Sequence, residues 1–171
     1  GGVGQIFCQW AKSLGCKVIG TVGSDEKIQT AKEYGCSFVI NYNKDDFQKQ
    51  VMKITDDKGL PVVYDGVGKV TMEKSLLSLK MRGTFVSFGN ASGKLDPLDV
   101  GKLIAPKGLF LTRPSIAHYT STRAELEEAA EKLFEMIKMK KVVIKLFKKY
   151  NLNEVVQAHK DLEGRKIIGP A

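Results

Sequence analysis

Apolar residues along the chain fall into short runs separated by longer stretches with helical spacing. β-Branched and aliphatic residues cluster at 17–22, 37–41, 62–65, 84–88 and 109–112. These runs are nearly continuous in apolar character and do not alternate strictly, which predicts strands covered on both faces, as in a parallel sheet. Residues 5–14 carry Ile6, Phe7, Trp10, Ala11 and Leu14 on one helical face, with Gly15 as the stop. A second helix is predicted from Ser24, a good N-cap, to just before Gly35. A third covers 45–55, with Phe47, Val51 and Ile54 as its stripe, and a fourth covers about 70–79. Strand, helix and strand recur at intervals of about 20–25 residues, which predicts βαβ units and an α/β fold with a doubly wound parallel sheet.

After Thr112 the rhythm changes. Residues 122–140 predict one long amphipathic helix with Leu126, Ala129, Ala130, Leu133, Phe134 and Ile137 on its inner face. A basic, strand-like piece at 142–147 and a short helix at 153–162 follow. No internal repeat or low-complexity segment is visible. The chain opens on Gly1-Gly2-Val3-Gly4 with no strand before it, and it ends on Ile167-Ile168-Gly169-Pro170-Ala171 as if a further strand were about to begin. Both ends are therefore expected to be cut, with the first strand of the fold missing.

Composition narrows the class. A chain of 171 residues suits one domain better than two, and 43% hydrophobic content with 17 Gly and 5 Pro excludes disordered and collagen-like chains. No apolar run reaches the roughly 18–20 residues of a membrane span, and no signal-peptide pattern is present. Three cysteines, at 8, 16 and 36, are odd in number and lack metal-ligand spacing. They point to a reducing, cytoplasmic compartment and are expected to act as small buried hydrophobes. The excess of 27 Lys and Arg over 19 Asp and Glu, a net +8, invites an anionic partner. Six lysines (138, 140, 141, 145, 148 and 149) stand between Met136 and Lys149 without an acid. Phe147 and Tyr150 are the only aromatics near them. A solvated lysine face is therefore the favoured reading there, and a nucleic-acid partner the minor one.

The candidate chemistry lies at the strand exits. Gly1-x-x-Gly4 before an apolar helix has the form of the rear half of a dinucleotide fingerprint, in which bare backbone and free helix N–H groups approach a pyrophosphate. The next strand ends Thr21-Val22-Gly23-Ser24, with no carboxylate until Asp25 and with Lys27 one turn into the helix. An acid at such a strand end would accept from a ribose 2′-hydroxyl, whereas a cation beside small residues suits a 2′-phosphate, so NADP is favoured over NAD. Asp25 as a ribose ligand is the alternative. Val63-Tyr64-Asp65-Gly66-Val67-Gly68 closes the third strand, and Asp65 there either faces the cofactor or caps the following helix. His118 and His159 are isolated, and no catalytic acid is nominated.

The runs "VSFGNASG", "LTRPS", "VVYDGVGK", "CQWAKSLG" and "AHKDLEGRK" together resemble the quinone oxidoreductases, the zeta-crystallin group of the medium-chain dehydrogenase/reductase superfamily, over essentially the whole chain. The resemblance covers about the C-terminal half of such an enzyme. It implies a Rossmann-type NADP-binding domain over 1–140 and a segment, 141–171, returning towards an absent GroES-like substrate domain. It further implies zinc-independent reduction of a quinone by NADPH in a homodimer formed through the strand near 109–112. By the same resemblance Gly2, Val3 and Gly4 cradle the pyrophosphate, Lys27 meets the 2′-phosphate, and Tyr42 lies beside the adenosine phosphate end. Gly66 sits near the adenine or ribose. Phe88, Gly89, Asn90, Ala91, Thr112 and Arg113 line the nicotinamide side, and Arg165 returns towards the cofactor. A zinc-free enoyl or alkenal reductase on the same scaffold is the alternative. An RNA-binding or dimerisation module without activity of its own is a further one.

Overall fold

A computed structural model of the chain describes residues 1–164 together with Ile167 and Gly169. It divides into two compact units, Gly1–Asn43 with Glu127–Ala171, and Lys44–Leu126.

The first unit holds α1 (Gly2–Ser13), β1 (Ile19–Val22), α2 (Glu26–Glu33) and β2 (Phe38–Asn41). β1 and β2 pair in parallel in the register Ile19↔Phe38 to Val22↔Asn41, with α2 as the crossover. The second unit holds α3 (Phe47–Ile54), β3 (Leu60–Asp65), α4 (Met72–Leu77), β4 (Leu79–Ser87), α5 (Val100–Leu103), a single turn at Ala105–Lys107, β5 (Phe110–Thr112) and α6 (Ile116–Tyr119). Its sheet runs β3-β4-β5, all parallel. The expected parallel α/β architecture is therefore present, as a two-stranded and a three-stranded sheet. α7 (Arg123–Lys138) follows, and α8 (Val155–Glu163) is the last helix.

Local chemistry sets the helix starts. Asp46 caps α3 by accepting from the amides of Gln48 and Lys49, and Phe47 and Val51 of that helix are buried as the spacing predicts. Before α7, the Thr122 hydroxyl accepts from the Glu125 amide at 3.2 Å while the Glu125 carboxylate accepts from the Thr122 amide at 2.9 Å, a reciprocal capping box. Parallel register aligns Val63, Phe85 and Leu111 on one face of the second sheet. On that face Met72, Leu76, Leu79, Phe85 and Leu109 form the core, with Val63, Leu95, Leu98, Leu103 and Ile104 packed around it.

Several expectations are corrected. Residues 142–147 are not a strand. The Val143 amide donates to Gln9 Oε1 at 2.9 Å and its carbonyl accepts from Gln9 Nε2 at 3.0 Å, so one side-chain amide takes the two groups a ladder would use. β4 begins at Leu79, not near 84, because a bulge separates the pairs Leu60↔Leu79 and Val62↔Thr84, with Arg82 in the left-handed region at φ 57°. The inner face of α7 is not buried: Leu126 is 44% and Phe134 65% exposed. Cys16 is exposed in the turn after α1 and is not a buried hydrophobe; Cys36 is buried, in the turn before β2.

Candidate functional site

In the first unit the predicted glycine turn is the opening turn of α1, capped by Gly1. Gly2, Val3 and Gly4 occupy positions whose amides have no carbonyl one turn earlier in the helix, and the first such bond runs from the Gln5 amide to the Gly1 carbonyl at 3.2 Å. A Cβ added at Gly4 would meet nothing within 4 Å, so the chain's own packing does not demand glycine there. Lys27 lies in the first turn of α2, half-buried. The amides at the start of α1 lie at the positive end of the helix dipole, and Lys27 adds a cation in the first turn of α2.

The exit of β2 grips the loop that leads into α2. Asn41 Nδ2 donates to Asp25 Oδ1 at 2.6 Å, the Asn43 amide donates to Asn41 Oδ1 at 3.1 Å, and Asn43 Nδ2 donates to the Gly23 carbonyl at 2.7 Å. The Tyr42 ring packs over Gly23, where a Cβ would stand 2.9 Å from the tyrosine hydroxyl. Asp25 is thus engaged by Asn41, which disfavours it as a ribose ligand, and Val22 occupies the end of β1. The two asparagines were not singled out by sequence, because nothing local marks a residue whose partner lies 16 or 20 positions away.

In the second unit the parallel strands bring their C-terminal ends to one edge. This gathers Gly66, the Phe88–Ala91 segment, Thr112 and Arg113 at the strand exits. The loops are pressed together: a Cβ on Gly89 would stand 2.7 Å from the Gly66 carbonyl oxygen, and one on Gly66 would stand 2.7 Å from the Phe88 ring. The Phe88 amide donates to the Asp65 carbonyl at 3.0 Å and the Ala91 amide to the Gly66 carbonyl at 3.2 Å. Asp65 itself is buried and anchors its own loop. It accepts from the amides of Val67 (2.8 Å) and Gly68 (2.9 Å) and from the hydroxyls of Thr71 (2.8 Å) and Ser75 (2.8 Å). It does not cap α4, whose N-cap is Thr71 without a side-chain cap bond; its carboxylate is taken up by the loop before that helix and by two hydroxyls. Arg113 reaches across from β5 to the Ser87 hydroxyl at 2.9 Å and more loosely to Asn90 Oδ1 at 3.5 Å, so its guanidinium holds the β4 exit. Arg165 lies outside the described residues.

Elsewhere, the Tyr150 hydroxyl donates to Asp161 at 2.9 Å and the Lys148 ammonium lies over the Tyr150 ring, so this aromatic is held in place beside the late lysines. Among the described residues, no group of three or more His, Cys, Asp and Glu could hold a metal, and no helix is long and apolar enough to cross a membrane.

Parallel βαβ units with glycine-rich strand exits and an electropositive helix start define a Rossmann-like dehydrogenase domain. The chain belongs to the zinc-binding dehydrogenase family, whose model matches residues 2–138. It is 46% identical to quinone oxidoreductase 1 of Escherichia coli over 171 residues, 99% of this chain and 52% of that protein. To the 2-haloacrylate reductase of a Burkholderia species it is 44% identical over 170 residues, 99% of this chain and 51% of that one. The crystal structure of Escherichia coli quinone oxidoreductase complexed with NADPH matches at a TM-score of 0.94 and 44% identity, over 99% of this chain and 52% of that one. The chain therefore spans about half the length of these relatives. The resemblance to quinone oxidoreductases drawn from the sequence motifs is borne out. The family's description names zinc; among the described residues no cluster of His, Cys, Asp and Glu offers the donor set of a zinc ion.

Proposed function

We propose that this chain is the NADPH-binding part of a zinc-independent, NADPH-dependent quinone oxidoreductase. The observation that carries the reading is the first unit's pair of helix starts: unencumbered Gly4 and free amides open α1, Lys27 stands in the first turn of α2, and Asp25 is tied to Asn41. Such a pair fits a pyrophosphate at Gly2, Val3 and Gly4 and a 2′-phosphate at Lys27, with Tyr42 flanking. In the second unit, Gly66, the Phe88–Ala91 segment and Thr112 form the wall that orients the nicotinamide end. Arg113 keeps that wall in shape through Ser87. When bound, NADPH supplies the hydride. This chain's part is to bind, orient and keep water from the reacting face. A quinone's developing oxyanion is delocalised over its ring, so no side chain here is assigned as a general acid.

Residues 1–140 are the cofactor domain in this proposal, and 141–171 return towards a substrate domain. The protein works in the cytoplasm as a homodimer. Support for the dimer comes from β5, which pairs on one side with β4 and leaves Phe110 61% exposed. The lysine-rich face is assigned to solvent in this proposal, with nucleic acid as the minor alternative.

The 2-haloacrylate reductase relative favours a second reading, reduction of an activated carbon–carbon double bond. Steady-state oxidation of NADPH by the intact protein, with 1,2-naphthoquinone in one series and 2-chloroacrylate or a 2-alkenal in the other, separates the two. Preferred turnover of the quinone supports the first reading, and preferred turnover of the alkene replaces it with the second.

A further inference from the structure

Two thiols in the first unit have no part in the cofactor reading. Cys8, on α1, is half-buried, and Cys36, in the turn after α2, is buried. Their sulfurs lie 3.5 Å apart, with the Cys36 thiol donating to Cys8 Sγ. The surrounding chain is shaped to bring them together. Gly35 has φ 106°, and a Cβ there would stand 3.1 Å from the Cys8 carbonyl oxygen and 3.0 Å from Lys12 Cδ. A Cβ on Gly20 of β1 would stand 2.7 Å from Cys36 Sγ. A side chain at Gly20 would press on the Cys36 sulfur, and one at Gly35 would press on the α1 backbone at Cys8, so the two glycines let this turn sit close against α1.

The shared proton makes the two sulfurs unequal. The hydrogen bond from Cys36 lowers the Cys8 thiol, with burial opposing, and the same bond raises the Cys36 thiol, with burial adding. Cys8 is thus the more accessible sulfur and the better thiolate, and Cys36 is placed to resolve whatever forms on it.

We propose that Cys8 and Cys36 are a redox-active dithiol that a hydroperoxide closes reversibly to a disulfide. The Cys8 thiolate attacks the terminal peroxide oxygen, the O–O bond breaks, and the departing alkoxide takes a proton and leaves as the alcohol. Cys8 is now a sulfenic acid. Cys36, having given its proton to solvent, attacks Cys8 Sγ; the S–O bond breaks and the hydroxide leaves as water. Two thiols lose two electrons and the hydroperoxide gains them. Closure brings the sulfurs from 3.5 Å to the roughly 2.05 Å of a disulfide, a movement that the Cys36 turn must make towards α1. A small thiol reductant restores the pair by exchange. Cys16, exposed in the turn after α1, is the internal control.

The test treats the intact protein with an equimolar amount of hydrogen peroxide, alkylates the remaining thiols, digests, and maps the peptides by mass. The expected product is one dithiothreitol-reversible cross-link between the Cys8 and Cys36 peptides, with Cys16 alkylated. In Cys36→Ser the cross-link is gone and Cys8 carries added oxygen. In Cys8→Ser, Cys36 stays alkylatable and its loss to peroxide slows at least tenfold. Cross-links that involve Cys16 overturn the proposal. So does alkylation of both Cys8 and Cys36 after a treatment that oxidises Cys16. The map of the unsubstituted protein decides the matter even if a variant fails to fold.

Discussion

Replacing Asp65 by alanine removes the acceptor for four donors at once: the amides of Val67 and Gly68 and the hydroxyls of Thr71 and Ser75. Thr71 and Ser75 are themselves buried, so water does not readily take the place of the lost oxygens. A buried donor left without a partner costs about 1–3 kcal/mol. Thr71 can turn its hydroxyl fully to the Gly68 carbonyl, already 3.2 Å away, and the loop amides can hydrate in part. The net cost is therefore about 3–5 kcal/mol, below the simple sum of four donors. Asp65→Asn keeps one acceptor oxygen and is expected to lose about half as much. Urea denaturation of the intact protein and both variants measures the difference, with the order wild type, Asn, Ala. An alanine variant within about 1 kcal/mol of wild type refutes the claim that this carboxyl group holds the β3–α4 loop.

Gly89→Ala puts a Cβ 2.7 Å from the Gly66 carbonyl oxygen, and the loops must part. A destabilisation of about 1–3 kcal/mol is expected in the same urea assay, and an unchanged midpoint would show that the strand exits are not in close contact. Glu125, whose carboxyl sits below its ordinary value near 4.5 because the Ser121 hydroxyl and the Thr122 amide bond its charged form, gives a pH signature. A depressed carboxylate stabilises above its unfolded value and loses that contribution as pH falls through the folded one. Glu125→Gln should therefore lower the urea midpoint at pH 7, and the gap to wild type should close as the pH falls below the carboxyl's lowered folded value; a gap that stays constant down the acid range contradicts the capping box.

What the sequence reveals and what it hides divide along one physical line. β-Branched runs and helical spacing locate β1, β2, β3 and β5, and α3 with its buried Phe47 and Val51, because burial of a repeating face is written locally. The strand exits are legible for the same reason, since glycine and parallel pairing together place Gly66, Phe88 and Arg113 at one edge. The bulge at Arg82 is not legible, because it depends on the register against β3. Residues 142–147 mislead because their β-branched pattern carries no information that Gln9 takes the backbone groups of Val143. Asn41 and the Cys8–Cys36 pair share this feature: their partners lie 16 and 28 positions away, beyond what any local pattern encodes.

The most direct test of the cofactor assignment is calorimetric titration of the intact protein with NADPH and with NADH, before and after Lys27→Glu. A hydrogen-bonded charge pair of about 1.5–3 kcal/mol corresponds to roughly a tenfold to hundredfold preference for NADPH in the wild type. The substitution is expected to erase that preference while leaving NADH affinity within about threefold, since the pyrophosphate stays on the start of α1. Equal losses for both cofactors, or no preference for NADPH at the outset, would contradict it.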